Sequence, residues 1–211
     1  TLYEMGYDVI GIGRSFDEGG EDVFARKIEA DLLDVDKTVS LVKTILKNND
    51  VTVLVNSMGV AYYGLHENVS PDQISAIIRT DLELPLIISS LAVDNFKKKG
   101  KGYIFNISSV TAENVNTHGA AYGAAKAGLT SFSRSLHEEV RKHNIRVTDI
   151  RPDMTRTDLY RNADFTCADE PMAYLNAEDV AQVVKFCLSV GDNQVITEIK
   201  IEPRLRRIKK K

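Results

Sequence analysis

The sequence has 211 residues, of which 43% are hydrophobic and 27% are charged, and its formal net charge is −3 at pH 7. These values are ordinary for a globular protein, and the length suits one domain with a core large enough to fold without disulfides. The net negative charge argues against non-specific nucleic-acid binding, so we expect no nucleic-acid partner. The basic run at 204–211 is interpreted as a solvated, frayed terminus rather than as a tail that binds nucleic acid or membrane.

Cysteine usage and hydropathy indicate a cytoplasmic protein. The two cysteines, Cys167 and Cys187, have neither metal-ligand spacing nor a disulfide pattern, which is typical of a reducing compartment. No apolar run reaches the roughly 20 residues needed to span a bilayer, and no signal peptide opens the chain. We therefore expect a cytoplasmic protein with no membrane partner, and because the histidines also lack metal spacing we expect no metal.

Strands and helices alternate along the chain. Apolar runs that predict strands lie, in order, at 7–13, 27–32, 51–56, 102–108, 145–151 and 195–201. Several are apolar on both faces, which suits a parallel sheet covered on each side. Amphipathic stretches between them predict helices at 36–48, 70–96, 121–143 and 177–189. This pattern predicts one α/β domain with a doubly wound parallel sheet of Rossmann-type topology and helices on both faces.

The segment 158–176 has no clear periodicity. Long irregular segments in compact domains are often lids or binding loops, and we interpret this one as the substrate loop. It contains four acidic residues and one arginine, so a strongly anionic substrate is not obviously favoured.

The segment 107–129 carries the most promising chemical groups. Tyr122 and Lys126 lie four positions apart on a predicted helix, so their side chains share one face. A cation beside a phenol favours the phenolate, and we expect the pKa of Tyr122 to fall towards the working range of a general acid or base. Ser109 follows a predicted strand, at the edge where open α/β sheets bind ligands, and its hydroxyl could hold a substrate oxygen. Taken alone, this spacing equally fits a packing tyrosine beside a solvated lysine.

With the small residues before Tyr122 and the run "GAAKAGL" around Lys126, the pattern resembles the short-chain dehydrogenase/reductase family, and it does so over nearly the whole chain. In that family a Tyr-x-x-x-Lys pair and a serine thirteen positions before the tyrosine form the reaction centre, and Ser109 has that separation. The resemblance implies hydride transfer between a nicotinamide and the carbon of a carbonyl or alcohol substrate. Tyr122 would give or take the proton, Lys126 would lower the pKa of the tyrosine and hold the nicotinamide ribose, and Ser109 would position the carbonyl oxygen.

Three further segments resemble turns that contact the cofactor in this family: "EADLLD", "VLVNSMG" and "IRPDMTRTDL". The resemblance implies that the first touches the adenine, that the second lies beside the cofactor, and that Thr157 in the third holds the carboxamide. Each turn alone could be an ordinary end of a strand. Besides Tyr122 and Lys126, the residues implied to contact the cofactor are Asp31, Leu32, Asn56, Gly59, Pro152 and Thr157.

The choice of cofactor depends on the segment "GIGRS". Sheets that bind NAD usually present an acidic residue to the ribose 2′-hydroxyl after the second strand, whereas an arginine there accommodates a 2′-phosphate. Arg14 lies at that strand end, and its planar guanidinium suits a phosphate. We therefore predict NADP(H), with a solvated Arg14 as the alternative.

The sequence departs from the family in three places. The family opens with a strand and a glycine-rich turn that binds the pyrophosphate, but this sequence begins with what looks like the end of the following helix, so we expect about twenty residues to precede it. Asp81 stands where the family often has the asparagine of a Ser-Tyr-Lys-Asn tetrad, and we include it in the catalytic set. Its carboxylate could serve in that role, or it could weaken the effect of Lys126 on the tyrosine. Asp153 replaces the glycine of a Pro-Gly pair.

Three functional hypotheses follow. The first is an NADP(H)-dependent oxidoreductase that acts on a small ketone, aldehyde or 3-hydroxy acid. The second is a catalytically weakened dinucleotide-binding sensor or scaffold of the same fold, and a third interpretation is an α/β domain with accidental matches. The helices at 70–96 and 121–143 commonly form contacts between subunits in the family, which implies a homodimer or homotetramer.

Overall fold

The computed structural model describes residues 1–16 and 26–211. These residues form the strands β1 (Ile10–Gly13), β2 (Arg26–Glu29), β3 (Val53–Asn56), β4 (Gly102–Ile107), β5 (Ile145–Pro152), β6 (Phe165–Cys167), β7 (Glu198–Ile201) and β8 (Ile208–Lys210). The central sheet has four parallel strands in the order β3-β4-β5-β7. Strands β1 and β2 form a separate parallel pair, and β6 and β8 form an antiparallel pair.

The helices are α1 (Val35–Asn48), α2 (Pro71–Ile78), α3 (Leu84–Lys99), α4 (Ala120–Val140) and α5 (Ala177–Ser189). Their starts follow from local chemistry, because side-chain oxygens satisfy the free N–H groups of a first helical turn. Asp34 caps α1, and Ser70 with Gln73 forms a capping box before Pro71 at the start of α2. Asn176 and Asp179 form a second box at the start of α5.

The side chains of β4 alternate between two helical layers. Ile104 packs on one face with Phe96 of α3 and Val140 of α4. Tyr103 and Phe105 pack on the other face against the cluster that includes α5. The strand is therefore apolar on both sides because helices cover both sides. This arrangement confirms the predicted parallel α/β fold with helices on each face of the sheet.

A cavity of about 1500 Å³ separates β1 from β3, and residues of both strands line it. We call it the larger cavity. Within the described residues, β1 pairs with β2 and β3 pairs with β4, and no pairing joins β1 to β3. Direct pairing of these two strands would have contradicted the expectation of an additional strand between them. That expectation stays a prediction.

The predicted helix at 70–96 is divided by a π-helical turn at Arg79–Glu83. Pro85 has no N–H and cannot donate to the carbonyl of Asp81, four residues earlier, so regular α-helical bonding is interrupted at this point. Wider π-helical turns are frequently found at functional sites. Here the turn holds Asp81, which is completely buried.

The expectation of a frayed terminus at 204–211 is wrong. Strand β8 pairs with β6 in the register Phe165–Lys210, Thr166–Lys209 and Cys167–Ile208. The predicted substrate loop at 158–176 is accordingly more ordered than its lack of periodicity indicated, with short 3₁₀ turns at Asp158–Asn162 and Pro171–Ala173 on either side of β6.

Within the residues that the structure describes, no helix is long and apolar enough to cross a membrane. In the same part of the chain, no group of three or more His, Cys, Asp or Glu side chains converges on a point where it could hold a metal ion. Both cysteines are buried and unpaired. Cys187 packs in the core beside α5, where burial raises the pKa of its thiol to about 11, so it acts as a small apolar residue.

Candidate active site

Ser109 lies just beyond the carboxyl end of β4 and is buried beside the first turn of α4. Its hydroxyl oxygen accepts hydrogen bonds from the Thr111 backbone N–H at 3.1 Å and from the Thr111 hydroxyl at 3.0 Å. Because the oxygen already accepts two hydrogen bonds, its own proton is available for donation. The hydroxyl lies close enough to the phenol of Tyr122 to lower the pKa of that phenol. The structure therefore brings together the serine and tyrosine that the sequence predicted.

Lys126 lies one helical turn beyond Tyr122 on α4, and its side chain is buried. Its Nζ donates to the backbone carbonyl of Ile107 at 3.0 Å and lies 5.6 Å from the centroid of the Tyr122 ring. The same Nζ lies 3.0 Å from Oδ1 of Asp81. All four residues of the predicted catalytic set are therefore neighbours in the structure.

Asp81 forms a buried ion pair with Lys126, with side-chain exposures of 0% and 4%. Its second carboxylate oxygen accepts a hydrogen bond from the Val60 backbone N–H at 2.9 Å. Burial raises the pKa of Asp81, while the lysine charge and the Val60 N–H act in the opposite direction. The carboxylate thus links the π-helical turn, α4 and the segment that follows β3.

The expected fall in the pKa of Tyr122 does not occur in this structure. Burial of the phenol raises its pKa, and the carboxylate of Asp81 adds to the rise, while the hydrogen bond from Ser109 lowers it. The physical reason is that the phenolate would lie away from water and near a negative charge. Lys126 does not reverse this effect, because its ammonium group is paired with the carboxylate.

Five of the predicted cofactor contacts line the larger cavity. All five lie at or just beyond the carboxyl ends of β1, β2 and β3. They are Arg14, Asp31, Leu32, Asn56 and Gly59. Ligands of open parallel sheets bind outside the carboxyl ends of the strands, so this location suits a dinucleotide. Within this set, Arg14 is exposed at the end of β1, and Asp31 accepts a hydrogen bond from the Leu33 N–H at 3.0 Å.

Gly59 gives a direct test of whether the residues fit a cofactor. A Cβ atom at this position would lie 3.1 Å from Oδ1 of Asp81 and 3.8 Å from Nζ of Lys126. The absence of a side chain therefore lets the wall of the larger cavity approach the buried ion pair closely. The residues present fit a dinucleotide whose reactive end lies beside Lys126.

The Asn56 side chain points into the protein interior rather than into the larger cavity. It is 1% exposed, and its Nδ2 donates to Ser89 Oγ at 3.0 Å and to Asn106 Oδ1 at 2.8 Å. Asn106 in turn donates to Ser133 Oγ at 2.8 Å. This network ties β3 and β4 to α3 and α4, so the backbone at Asn56 is the part that a cofactor could meet.

Pro152 and Thr157 do not line the larger cavity, and they do not line the second cavity that is described next. Pro152 is the buried last residue of β5 and is paired with Ile201. Thr157 is exposed, and its hydroxyl oxygen accepts from the Leu159 N–H at 3.3 Å, which caps the turn at Asp158–Asn162. Both residues thus lie at the carboxyl edge of the sheet without meeting the other predicted cofactor contacts.

A second cavity, of about 400 Å³, borders the reactive hydroxyls. We call it the smaller cavity. Ser109 and Tyr122 line it, together with Tyr160 and Phe165 from the predicted substrate loop. Part of 158–176 therefore forms a wall of this cavity, and its role as the substrate loop stays a prediction.

The strap, defined as residues 203–211, is a part of the site that sequence reasoning missed. Pro203, Arg206 and Ile208 complete the wall of the smaller cavity. The backbone N–H of Leu205 donates to the Met172 carbonyl at 2.9 Å, which fixes the strap to the loop.

Opposite charges accompany the pairing of the strap with the loop. Arg207 lies 2.6 Å from Glu170, and Lys209 lies 2.8 Å from Asp169. The sequence feature that could have revealed the strap was this complementarity between the acidic residues of the loop and the basic residues near the end of the sequence. Because about forty residues separate the two segments, the signal was not apparent from local patterns.

The register of the strap and loop identifies which backbone groups hold them together. The Lys211 N–H donates to the Asp164 carbonyl at 2.9 Å. Since bonded and non-bonded pairs alternate in an antiparallel ladder, Thr166 and Lys209 form the next bonded pair, whereas Lys210 lies in a non-bonded pair.

We expect Lys209→Pro to loosen the substrate loop and Lys210→Pro to leave it largely intact, because only the first substitution removes a ladder donor. One net hydrogen bond is worth about 0.5–1.5 kcal/mol, so exchange of the loop amides should accelerate up to about tenfold. Hydrogen-exchange mass spectrometry of 158–176 in both variants measures this. Equal exchange in the two variants would show that the ladder does not hold the loop.

The comparisons with known proteins agree with this geometry. The model of the short chain dehydrogenase family matches residues 1–167. The 3-oxoacyl-(acyl-carrier-protein) reductase FabG of Salmonella typhimurium is 32% identical over 170 residues, which cover 76% of this chain and 68% of that protein.

Two solved structures show the same fold. The alcohol dehydrogenase from the archaeon Thermococcus sibiricus, complexed with 5-hydroxy-NADP, has a TM-score of 0.83 at 19% identity and covers 98% of this chain and 90% of its own. A 4-hydroxyisoleucine dehydrogenase mutant complexed with NADH and succinate has a TM-score of 0.84 at 20% identity, over 96% of this chain and 89% of its own. The family match, the sequence relative and the shared fold together establish that this chain belongs to the short-chain dehydrogenase family.

Proposed function

We propose that this chain is an NADP(H)-dependent oxidoreductase that transfers a hydride between the nicotinamide and a carbonyl or hydroxyl substrate, a small ketone, aldehyde or 3-hydroxy acid. The observation that carries this proposal is that Ser109 and Tyr122 both line the smaller cavity, with Lys126 one helical turn away and 5.6 Å from the centroid of the Tyr122 ring. The larger cavity, with five of the predicted cofactor contacts, extends to Gly59, where a Cβ atom would lie 3.8 Å from Nζ of Lys126.

Each residue of the centre has a defined part in carbonyl reduction. The nicotinamide, when bound, supplies the hydride that the carbonyl carbon accepts. Ser109 donates its free proton in a hydrogen bond to the carbonyl oxygen and fixes the position of that oxygen. Tyr122 gives its phenolic proton to the same oxygen, which yields the alcohol. Lys126 holds the cofactor side of the centre, and in alcohol oxidation the two transfers run in reverse.

The direction of the Tyr122 pKa shift favours reduction near neutral pH. Burial and the Asp81 carboxylate raise the pKa of the phenol, so the tyrosine carries its proton over the physiological range. A protonated phenol is the form that donates to a developing alkoxide. Oxidation of an alcohol requires the phenolate and should therefore need alkaline conditions.

Arg14 supports the choice of NADP(H). Its guanidinium lies exposed at the end of β1 and lines the larger cavity, where a 2′-phosphate could form two hydrogen bonds with it. The two solved structures described above carry 5-hydroxy-NADP in one case and NADH in the other, so the fold accommodates both types of cofactor. The residues that would hold the cofactor are Arg14, Asp31, Leu32, the backbone of Asn56, and Gly59, with Tyr122 and Lys126 beside its reactive end. Pro152 and Thr157, which line neither cavity, stay predictions from the sequence.

We expect Arg14→Ala to weaken NADPH binding about tenfold or more and to leave NADH binding unchanged, since a charge-assisted hydrogen bond is worth about 1.5–3 kcal/mol. Titration of nicotinamide fluorescence measures both affinities. Arg141→Ala, which follows α4 far from the carboxyl ends of the strands, is the matched control. Tighter binding of NADH than of NADPH by the unaltered protein would contradict the proposal.

Asp81 acts as a positioning residue in this proposal. It touches Lys126 and the Val60 N–H rather than the substrate, and its charge reaches the phenol through space. A carboxylate in this place fixes the lysine firmly but also disfavours the phenolate. An amide would keep an oxygen for the Val60 N–H and remove the charge.

We expect Asp81→Asn to shift the pH profile of alcohol oxidation to lower pH. The sign follows because the carboxylate raises the pKa of Tyr122, so its removal allows the phenolate to form at lower pH. The profile of kcat/KM against pH measures the shift, and Glu83→Gln in the same π-helical turn is the control. A shift to higher pH would instead show that Asp81 favours the phenolate by holding Lys126 close to it.

A dinucleotide-binding sensor or scaffold is the second candidate function. The observation that favours it is the engagement of Lys126 by both Asp81 and the Ile107 carbonyl, which leaves the tyrosine with a raised pKa. The observation against it is that Ser109 and Tyr122 line the same accessible cavity, so both can reach one substrate oxygen.

Tyr122→Phe separates the enzyme from the sensor. Loss of the proton donor should lower kcat by about 10²–10⁴-fold while NADPH affinity stays unchanged. Carbonyl-dependent oxidation of NADPH measures turnover, with the exposed Tyr3→Phe as control. If the unaltered protein binds NADPH but oxidises it with no aldehyde, ketone or 3-oxo acid, the sensor is the correct function.

We also propose a domain organisation and an assembly for this protein. Within the described residues the facing edges of β1 and β3 border the larger cavity, which supports one single domain completed by a further strand and glycine turn between them. A homodimer or homotetramer formed through the helical segments 70–96 and 121–143 remains the proposed assembly.

A further inference from the structure

The smaller cavity has a wall made of aromatic rings from separate parts of the chain. Tyr63 follows β3, Tyr160 precedes β6, and Phe165 begins β6. The rings of Tyr63 and Phe165 meet edge to face at 4.9 Å, and those of Tyr160 and Phe165 are 5.5 Å apart. All three residues line the cavity.

This aromatic wall adjoins the reacting phenol. The Tyr63 ring centroid lies 6.1 Å from that of Tyr122, with 48° between the ring planes. A substrate whose carbonyl oxygen contacts Ser109 and Tyr122 would therefore place its adjacent substituent against Tyr63 and Phe165. Aromatic pairs at tilted or edge-to-face angles attract each other beyond simple burial, so a ring in that substituent is favoured over an alkyl group of similar size.

The charges around the smaller cavity cancel. Its cationic wall residue is Arg206, whose guanidinium contacts the carboxylate of Glu202 and lies 3.9 Å from Oδ2 of Asp153. Burial also raises the pKa of Tyr63, which keeps that phenol neutral. A substrate carboxylate would face Asp153 in the same wall and would compete with Glu202 for Arg206, so it would find no free cation there.

We propose that the smaller cavity selects an uncharged carbonyl compound with an aromatic ring next to the reacting carbon, and that Phe165 and the Glu202–Arg206 pair determine this preference. The inference rests on the proposed reductase function, because it assigns the substrate class of that same centre. Ser109 and Tyr122 hold the oxygen, Tyr63 and Phe165 contact the ring, and the strap supplies the neutral outer wall.

The test uses four 3-oxo compounds that vary ring and charge independently: ethyl benzoylacetate, benzoylacetate, ethyl acetoacetate and acetoacetate. With the full chain and NADPH, we expect kcat/KM to be highest for ethyl benzoylacetate. Loss of the ring and gain of the carboxylate should each lower kcat/KM about tenfold, which is 1.4 kcal/mol at 25 °C.

Two variants assign the preference to its residues. Phe165→Leu should reduce the ratio of phenyl to methyl ester rates severalfold, whereas Phe186→Leu, an exposed residue of α5, should leave it unchanged. Glu202→Gln should free Arg206 and raise kcat/KM for benzoylacetate relative to its ethyl ester. Both readouts are ratios within one protein sample, so a partly folded variant does not mimic the effect.

The outcomes distinguish failure of the proposed substrate class from failure of the proposed reductase function. Equal rates for phenyl and methyl esters, or faster reaction of the acids than of the esters, overturn the substrate class and leave the reductase function standing. Binding of NADPH without its oxidation by any of the four compounds, or by a small aldehyde, overturns the reductase function and the substrate class together.

Discussion

The buried ion pair between Asp81 and Lys126 is the interaction on which the site depends. Breaking such a pair by removing one partner costs about 3–5 kcal/mol, because the remaining charge lies unpaired in a medium of low polarity. The pair therefore fixes the π-helical turn against α4 and, through the Val60 N–H, the segment after β3. It also explains why Gly59 has no side chain, since a Cβ there would press on the carboxylate.

The same pair sets the chemistry of the phenol. A lysine that faced Tyr122 alone would stabilise the phenolate, but here its charge is shared with a carboxylate and with the Ile107 carbonyl. The burial of Tyr122 then has the larger influence, and the tyrosine keeps its proton. In the proposed reaction, aspartate at position 81 would therefore favour proton donation by Tyr122 over proton abstraction.

Much of the fold and the core of the site could be predicted from the sequence, because both follow from local spacing. The strand–helix alternation predicted the parallel sheet, and a separation of four on one helix predicted the contact face of Tyr122 and Lys126. The inward direction of Asn56 was not predictable, since it depends on Ser89 and Asn106 from distant segments. The expected pKa of Tyr122 was wrong for a related reason, because burial is a property of the folded protein.

The strap shows why charge counted along one segment does not give the electrostatics of a cavity. The segment 158–176 is acidic in sequence, but Glu170 is paired with Arg207 and Asp169 with Lys209. Exposed pairs of this kind contribute only about 0–1 kcal/mol each, so they do not hold the strap by themselves. The backbone ladder between β6 and β8 provides the specific register, and the charges then neutralise the loop in that register. A loop that is acidic in sequence can in this way border a substrate cavity that is electrically neutral.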